Sequence, residues 1–135
     1  STLVSFPAPP DDDHIIKVVM IGPEPLLSRA IAQLPAELHE RYTVVRSAPY
    51  FLEFMNKRSN KGTGVAALAE HLGLDASQVI AVGDAGNDRH MIEYAGLGVA
   101  MGNATDEIKA LAQHTTGRND EDGVAQVIER FILNT

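Results

Sequence analysis

The chain contains no cysteine among its 135 residues. A disulfide framework, a zinc-thiolate centre and a thiol nucleophile are all excluded by that absence. Positive charge is also scarce: 11 Lys and Arg stand against 18 Asp and Glu, for a formal net charge of -7. Such a field repels phosphodiester backbones and anionic lipid, so neither nucleic acid nor a membrane surface is expected as a partner. Any phosphate recognised here has to be held by local groups. No apolar run reaches the length of a membrane span, and the first residues lack the basic flank and apolar core of a signal peptide; a cytoplasmic location is the expectation. The histidines His14, His39, His71, His90 and His114 are scattered without metal-ligand spacing and read as surface residues with no catalytic role. There are no internal repeats.

What the chain does have is a 44% share of hydrophobic residues, enough for one domain with a core or for parts of two smaller lobes. The stretch that organises it is Val79-Ile80-Ala81-Val82-Gly83-Asp84-Ala85-Gly86-Asn87-Asp88. Four apolar residues closed by a glycine predict a short strand buried on both faces, at the centre of a parallel sheet. Ala85-Gly86 permit a tight turn, and Asn87 or Asp88 is placed to cap a helix carrying Met91, Ile92 and Ala95. Ligands of open parallel sheets bind beyond the carboxyl ends of the strands, where Asp84 falls. Two carboxylates and an amide at that point suit a hard cation such as Mg2+. They also suit plain turning and capping, and only Asp84 has no evident local backbone task.

In chain order, residues 1–13 pass from Ser-Thr-Leu-Val-Ser-Phe into Pro7-Ala8-Pro9-Pro10-Asp11-Asp12-Asp13, which predicts an extended leader. Residues 14–56 predict a small α+β lobe: a strand over Ile15–Ile21, one helix with Leu26, Leu27, Ala30, Ile31 and Leu34 on a face, and two strands over Tyr42–Ser47 and Tyr50–Met55. Residues 57–135 alternate helix and strand. A helix over Lys61–Leu72 is closed by Gly73, and strands are predicted at Val79–Val82, Gly98–Met101 and His114–Thr116. A helix around Ile108, Leu111 and Ala112 leads to the third strand, and a last helix over Val124–Leu133 is expected to bury Val124, Val127, Ile128, Phe131 and Ile132. That alternation makes the second lobe half of a doubly wound, Rossmann-like parallel sheet, and the fold class α/β.

Asn60-Lys61-Gly62-Thr63-Gly64 opens the first helix of this second lobe. A lysine in a first helical turn faces the positive end of the helix dipole, which favours anions. Either an anion sits there, cradled by the amides of Gly62 and Thr63 and the Lys61 ammonium, or the lysine is solvated and tolerates a small repulsion.

Asn60-Lys61-Gly62, followed by the strand and Gly83-Asp84-Ala85-Gly86-Asn87-Asp88, with Met91-Ile92 and later Val99-Ala100-Met101-Gly102-Asn103-Ala104, resembles the Cof-type branch of the haloacid dehalogenase-like hydrolases. The resemblance implies phosphoryl transfer from a small sugar phosphate through an aspartyl-phosphate. It implies that Lys61 neutralises the nucleophile and the transferring group, and that Asp84 binds Mg2+. Asn87 and Asp88 would support the site by hydrogen bonds to phosphate, metal-bound water or lysine. Asn103 would join them from the next loop, and the lobe over residues 14–56 would be part of a cap that selects the sugar. The catalytic residues so implied are Lys61, Asp84 and Asp88, with Lys61, Asn87 and Asn103 on the substrate.

The family's nucleophile lies in an Asp-x-Asp motif at the end of an N-terminal strand, and a Ser or Thr follows another strand. Neither motif is present: Asp11 to Asp13 follow prolines, and only Asp84 ends a buried-strand pattern. The chain therefore reads as the C-terminal half of such a phosphatase, inactive alone or paired with its other half. The alternative is a noncatalytic binding or self-assembling module, because missing core strands leave an open sheet edge and exposed apolar faces, which favour homo-oligomers. The hydrolase reading further expects the Lys61 ammonium and the Asp84 carboxylate to converge on one hollow at the rim of the sheet.

Overall fold

The computed structural model describes residues 14–134, and its strands form two separate sheets. The leader expected over residues 1–13 lies outside the described residues.

The first sheet is antiparallel and takes the order β1-β3-β2, with β1 at Lys17–Ile21, β2 at Tyr42–Ala48 and β3 at Phe51–Asn56. Its register places Val19, Glu53 and Val45 side by side, and it slips between Arg46 and Ala48, where the chain turns through Pro49 and Tyr50. Helix α1 (Glu24–Ala32) sends Leu27 into this layer, and Leu52 from the sheet is almost completely buried. The structure adds a second helix, α2 (Ala36–Arg41), over a stretch with no apolar periodicity: its six residues include four that are charged or titratable, and none is buried. The β1 strand is exposed along its whole length.

The second sheet is parallel, in the order β4-β5-β6 (Ile80–Gly83, Leu97–Ala100, His114–Thr115). Helices α3 (Lys61–His71), α4 (Arg89–Tyr94), α5 (Asp106–Leu111) and α6 (Gly123–Ile128) alternate with its strands. Short 3-10 turns at Ala76–Gln78 and Gly86–Asp88 precede β4 and α4, and a π-helical turn over Glu129–Leu133 extends α6. The architecture is α/β. Its core is Ile92, Ala100, Met101, Ala104 and Ile108, with Val99 of β5 wholly buried beside them.

Three expectations need correction. The central, doubly buried strand is β5, whose Gly98, Val99 and Ala100 are all buried. β4 stands at an edge, with Ile80 and Val82 only half-buried, because among the described residues no strand pairs with its other side. The last helix buries Val127, but Val124, Ile128 and Ile132 are exposed. A helix against a three-stranded sheet covers it with a single stripe, so apolar residues off that stripe remain in water. Finally, His90 and His114 are half-buried rather than surface residues; His114 stacks edge-on against Phe131 with ring centroids 5.2 Å apart.

The two sheets meet at the end of β4. β2 packs on the Gly86–Asp88 turn, and α3 packs along α4. A Cβ built on Gly62 would lie 2.5 Å from the His90 carbonyl oxygen, so only glycine lets the first turn of α3 approach α4 this closely.

Candidate active site

The start of α3 is fixed by its own sequence. Asn60 at the N-cap accepts the Thr63 amide on Oδ1 at 2.9 Å, and Thr63 Oγ1 accepts the Asn60 amide at 3.1 Å. This reciprocal box satisfies two orphan donors and sets where Lys61 leaves the helix. It also uses the Thr63 amide, which the sequence reading had left free for a phosphate.

At the other side, β4 delivers Asp84 as an exposed side chain just past its last residue, with the Asp84 carbonyl accepting the Thr105 amide at 3.0 Å. Asp88 occupies the N-cap position of α4, yet its side chain makes no cap bond there. It turns back instead: Oδ2 accepts the amides of Asp84 at 2.9 Å and Ala85 at 3.2 Å, and Oδ1 accepts the Lys61 ammonium at 2.5 Å. The capping role read from the sequence is thus replaced by a bracing role. The cause is steric as well as electrostatic. A Cβ on Gly83 would sit 2.4 Å from Asp88 Cβ, so the bare glycine backbone is what admits the returning carboxylate.

The Asp88 side chain is 6% exposed and that of Lys61 49%. Burial on its own pushes the Asp88 carboxyl up. The Lys61 ammonium and the two amides outweigh it and hold the group below the usual carboxylate range. Asp88 is therefore ionised, and its two oxygens face the lysine and two backbone amides. Asp84 is different: its Oδ2 accepts Asn103 Nδ2 at 3.2 Å, and Asn103 in turn accepts the Asn119 amide at 2.9 Å.

Lys61 and Asp84 lie on the two sides of Asp88 at one end of β4, but they line different hollows. Lys61 and Asn87 line a hollow of about 220 Å³ together with Val45, Glu53 and Met55 of the antiparallel sheet. Asp84 and Asn103 line a neighbouring cleft of about 440 Å³ with Arg46, Ser47 and Glu107. The expected single hollow is in this chain two adjoining ones bridged by Asp88, and β2, seated on the Gly86–Asp88 turn, supplies wall residues to both.

No group of three His, Cys, Asp or Glu side chains is placed to hold a metal among the described residues. With Asp88 committed to nitrogen donors, Asp84 is the one carboxylate of the turn left for a cation. A single exposed carboxylate fits Mg2+, which keeps several waters and takes one or two protein carboxylates beside phosphate oxygens.

Two residues of the antiparallel sheet escaped the sequence reading. Arg46 donates to Ser28 Oγ at 3.1 Å and to the Pro49 carbonyl, and lies 3.9 Å from Glu24. Glu53 accepts Ser47 Oγ at 2.7 Å and the Lys17 ammonium at 3.2 Å. The available signal was the lone acid inside the aromatic run Phe51-Leu52-Glu53-Phe54, a polar residue where a strand should pack. No helix among the described residues is long and apolar enough to cross a membrane.

Comparison with known proteins agrees with the geometry. The family profile of haloacid dehalogenase-like hydrolases matches residues 4–128. A protein of Streptococcus pyogenes serotype M6, provisionally named a phosphatase, is 43% identical over 99% of this chain and 52% of its own length. YxeH of Bacillus subtilis, also provisionally named a phosphatase, is 44% identical over 92% of this chain and 46% of its own. Among solved structures, a haloacid dehalogenase-like hydrolase from B. subtilis superposes with a TM-score of 0.79 at 33% identity, covering 91% of this chain and 44% of that one. The sugar phosphatase BT4131 superposes at 0.74 with 27% identity, over 89% and 44% of the two chains. The chain spans about half the length of the curated relatives it matches. On the family profile, these similarities and the shared architecture, the chain belongs to the haloacid dehalogenase-like hydrolases.

Proposed function

We propose that this chain carries the lysine and metal-binding half of a Mg2+-dependent phosphatase acting on small sugar phosphates, of the Cof type and similar to sugar phosphatases of the YidA kind. The observation that carries the reading is the brace through Asp88, which ties the Lys61 ammonium and the Asp84 strand end into one unit. Phosphoryl transfer asks mainly for positioning and for positive charge against the developing negative charge, and a lysine held by a buried carboxylate supplies both.

In this reading Lys61 binds the phosphoryl oxygens and Asn87, on the wall of the same hollow, donates to them. Asp84, in the neighbouring cleft, would hold Mg2+, which would supply further positive charge at this corner; Asn103 donates to the Asp84 carboxylate there. Asp88 touches no substrate and orients Lys61. The antiparallel sheet over residues 17–56 is part of the cap, and the aspartate that attacks phosphorus lies outside this chain, so the isolated chain is inactive. The name of BT4131 as a sugar phosphatase supports the substrate class.

The test is a phosphatase assay with Mg2+ on this chain, alone and joined to the N-terminal half of a relative. Turnover is expected only in the joined form and is abolished by Asp84→Asn or Lys61→Met. Turnover that survives Asp84→Asn overturns the assignment.

A second reading, a noncatalytic self-assembling module, is favoured by one observation. Val18, Val19, Met20 and Ile21 of β1 are exposed on a strand whose outer edge has no partner among the described residues. Sedimentation of a monomer across micromolar concentrations would remove it.

A further inference from the structure

We infer that Glu53 is a specificity-determining residue, accepting hydroxyl hydrogen bonds from the carbon portion of a phosphorylated polyol whose phosphate sits at Lys61. The inference rests on the phosphatase reading of Lys61 and names which part of the cap selects the substrate.

Side chains alternate across a strand, so the β3 register that pairs Glu53 with Val45 puts both on one face, with Met55 two residues on. These three line the hollow of about 220 Å³ that Lys61 and Asn87 close from the other side. The volume is below that of a drug-sized pocket and admits only a small organic group. Its walls mix chemistries: the Lys61 ammonium and the polar side chains of Asn87, Asn60 and Ser59, the Glu53 carboxylate, and the apolar side chains of Val45 and Met55.

The Glu53 side chain is 14% exposed, and a carboxylate removed from water needs partners. It has one on each oxygen, the Ser47 hydroxyl and the Lys17 ammonium. Two oxygens offer about four acceptor sites, so half of its capacity remains. The Ser47 hydrogen bond, more than the charges of Lys17 and Lys61, holds the carboxyl below its ordinary range against the effect of burial. Glu53 is thus an acceptor only, repelling phosphate and attracting hydroxyl donors. A phosphorylated polyol entering this hollow has one favourable orientation, with its phosphate on Lys61, its C–H surface along Val45 and Met55, and its hydroxyls on Glu53. Bracing of the sheet alone would not call for this charge, since the Lys17 end of the pair is open to water and a glutamine also accepts from Ser47, though more weakly than the carboxylate.

The experiment is an NMR titration of the chain, following the Gly62 and Asn87 amides, with inorganic phosphate, ethyl phosphate, ribose 5-phosphate and glucose 6-phosphate. At least one sugar phosphate should bind more tightly than ethyl phosphate. Glu53→Gln should erase about tenfold of that preference, the size of a hydrogen bond to a charged group, while leaving inorganic phosphate as tight or tighter. Ser47→Ala, which frees the carboxylate without removing its charge, should narrow the preference less. Sugar phosphates that bind no better than ethyl phosphate, or a Glu53→Gln loss equal for every ligand, would overturn the role of Glu53 and leave the phosphate site standing. Phosphate binding that is absent, or unchanged by Lys61→Met, would instead sink the phosphatase reading, and this inference with it.

Discussion

Lys61 and Asp88, 27 positions apart in the chain, hold each other at 2.5 Å. The carboxylate that receives the ammonium also receives the Asp84 amide on its second oxygen, so the helix bearing the lysine and the strand end bearing Asp84 share one anchor.

Removing that anchor has two separable costs. Asp88→Asn keeps an acceptor for the two amides and loses the charge that faces Lys61; because the lysine is half exposed, a cost of about 1–2 kcal/mol is expected. Asp88→Ala also leaves the Asp84 and Ala85 amides unsatisfied and should cost about 2–4 kcal/mol. Urea denaturation of the two variants checks the order; equal costs would mean that the carboxylate contributes chiefly by charge and not by accepting the two amides.

The same carboxylate sets an acid limit. Its native titration lies below the usual range, so the unfolded chain takes up the proton first as the pH falls. The stabilisation is complete above about pH 4, the ordinary aspartate value, and is lost as the pH drops through the lower native one. Between about pH 5 and 3, the urea midpoint of the parent chain should fall more steeply than that of Asp88→Asn. Parallel slopes would show that Asp88 does not titrate as its surroundings dictate.

Two glycines of α3 should respond oppositely to alanine. At Gly62 the new methyl meets the His90 carbonyl at 2.5 Å, while at Gly64 nothing lies within 4 Å. Gly64→Ala should stabilise by about 0.5–1 kcal/mol through helix propensity. Gly62→Ala should destabilise by about 1–3 kcal/mol, as overpacking does, and displace Lys61. Thermal melting gives the sign of each.

The metal role of Asp84 is testable without turnover. Mn2+, used as a paramagnetic probe, should broaden the amide signals of Asp84, Ala85 and Asn103. Asp84→Asn should abolish the effect, and Asn103→Ala should weaken it by releasing the carboxylate held at 3.2 Å. Broadening that ignores Asp84→Asn would place the cation elsewhere.

The alternation of helices and strands from Lys61 onward was legible because each element there has its own period or punctuation: the Gly73 stop after α3, the apolar run of β4, the Ile108, Leu111 and Ala112 spacing of α5. The strand order was not. A parallel strand flanked on one side and one flanked on both carry the same apolar residues, and only pairing tells β4 from β5. Helix α2 was hidden by its surface composition, and its start at Pro35 reads equally as a turn. Among the candidate site residues, Lys61, Asp84, Asn87 and Asp88 stand out by type and position in the sequence, and Asn103 only through the family resemblance. The task of Asp88 does not, because capping the next helix and bracing the previous strand make the same demand on sequence. Glu53 was missed because Lys61 and Asn87, which share its hollow, come from a helix start and a turn that follow it in the chain.

Gly83 ends β4 with no room for a methyl group beside Asp88. The corner is therefore cast in a mould that the backbone itself provides, and its shape owes nothing to any later closure of a lid. Motion of the antiparallel layer can change what reaches the lysine. The seat of the Asp88 carboxylate against the strand end is set by the Gly83 backbone alone, so alterations in the wall of the hollow leave that seat in place.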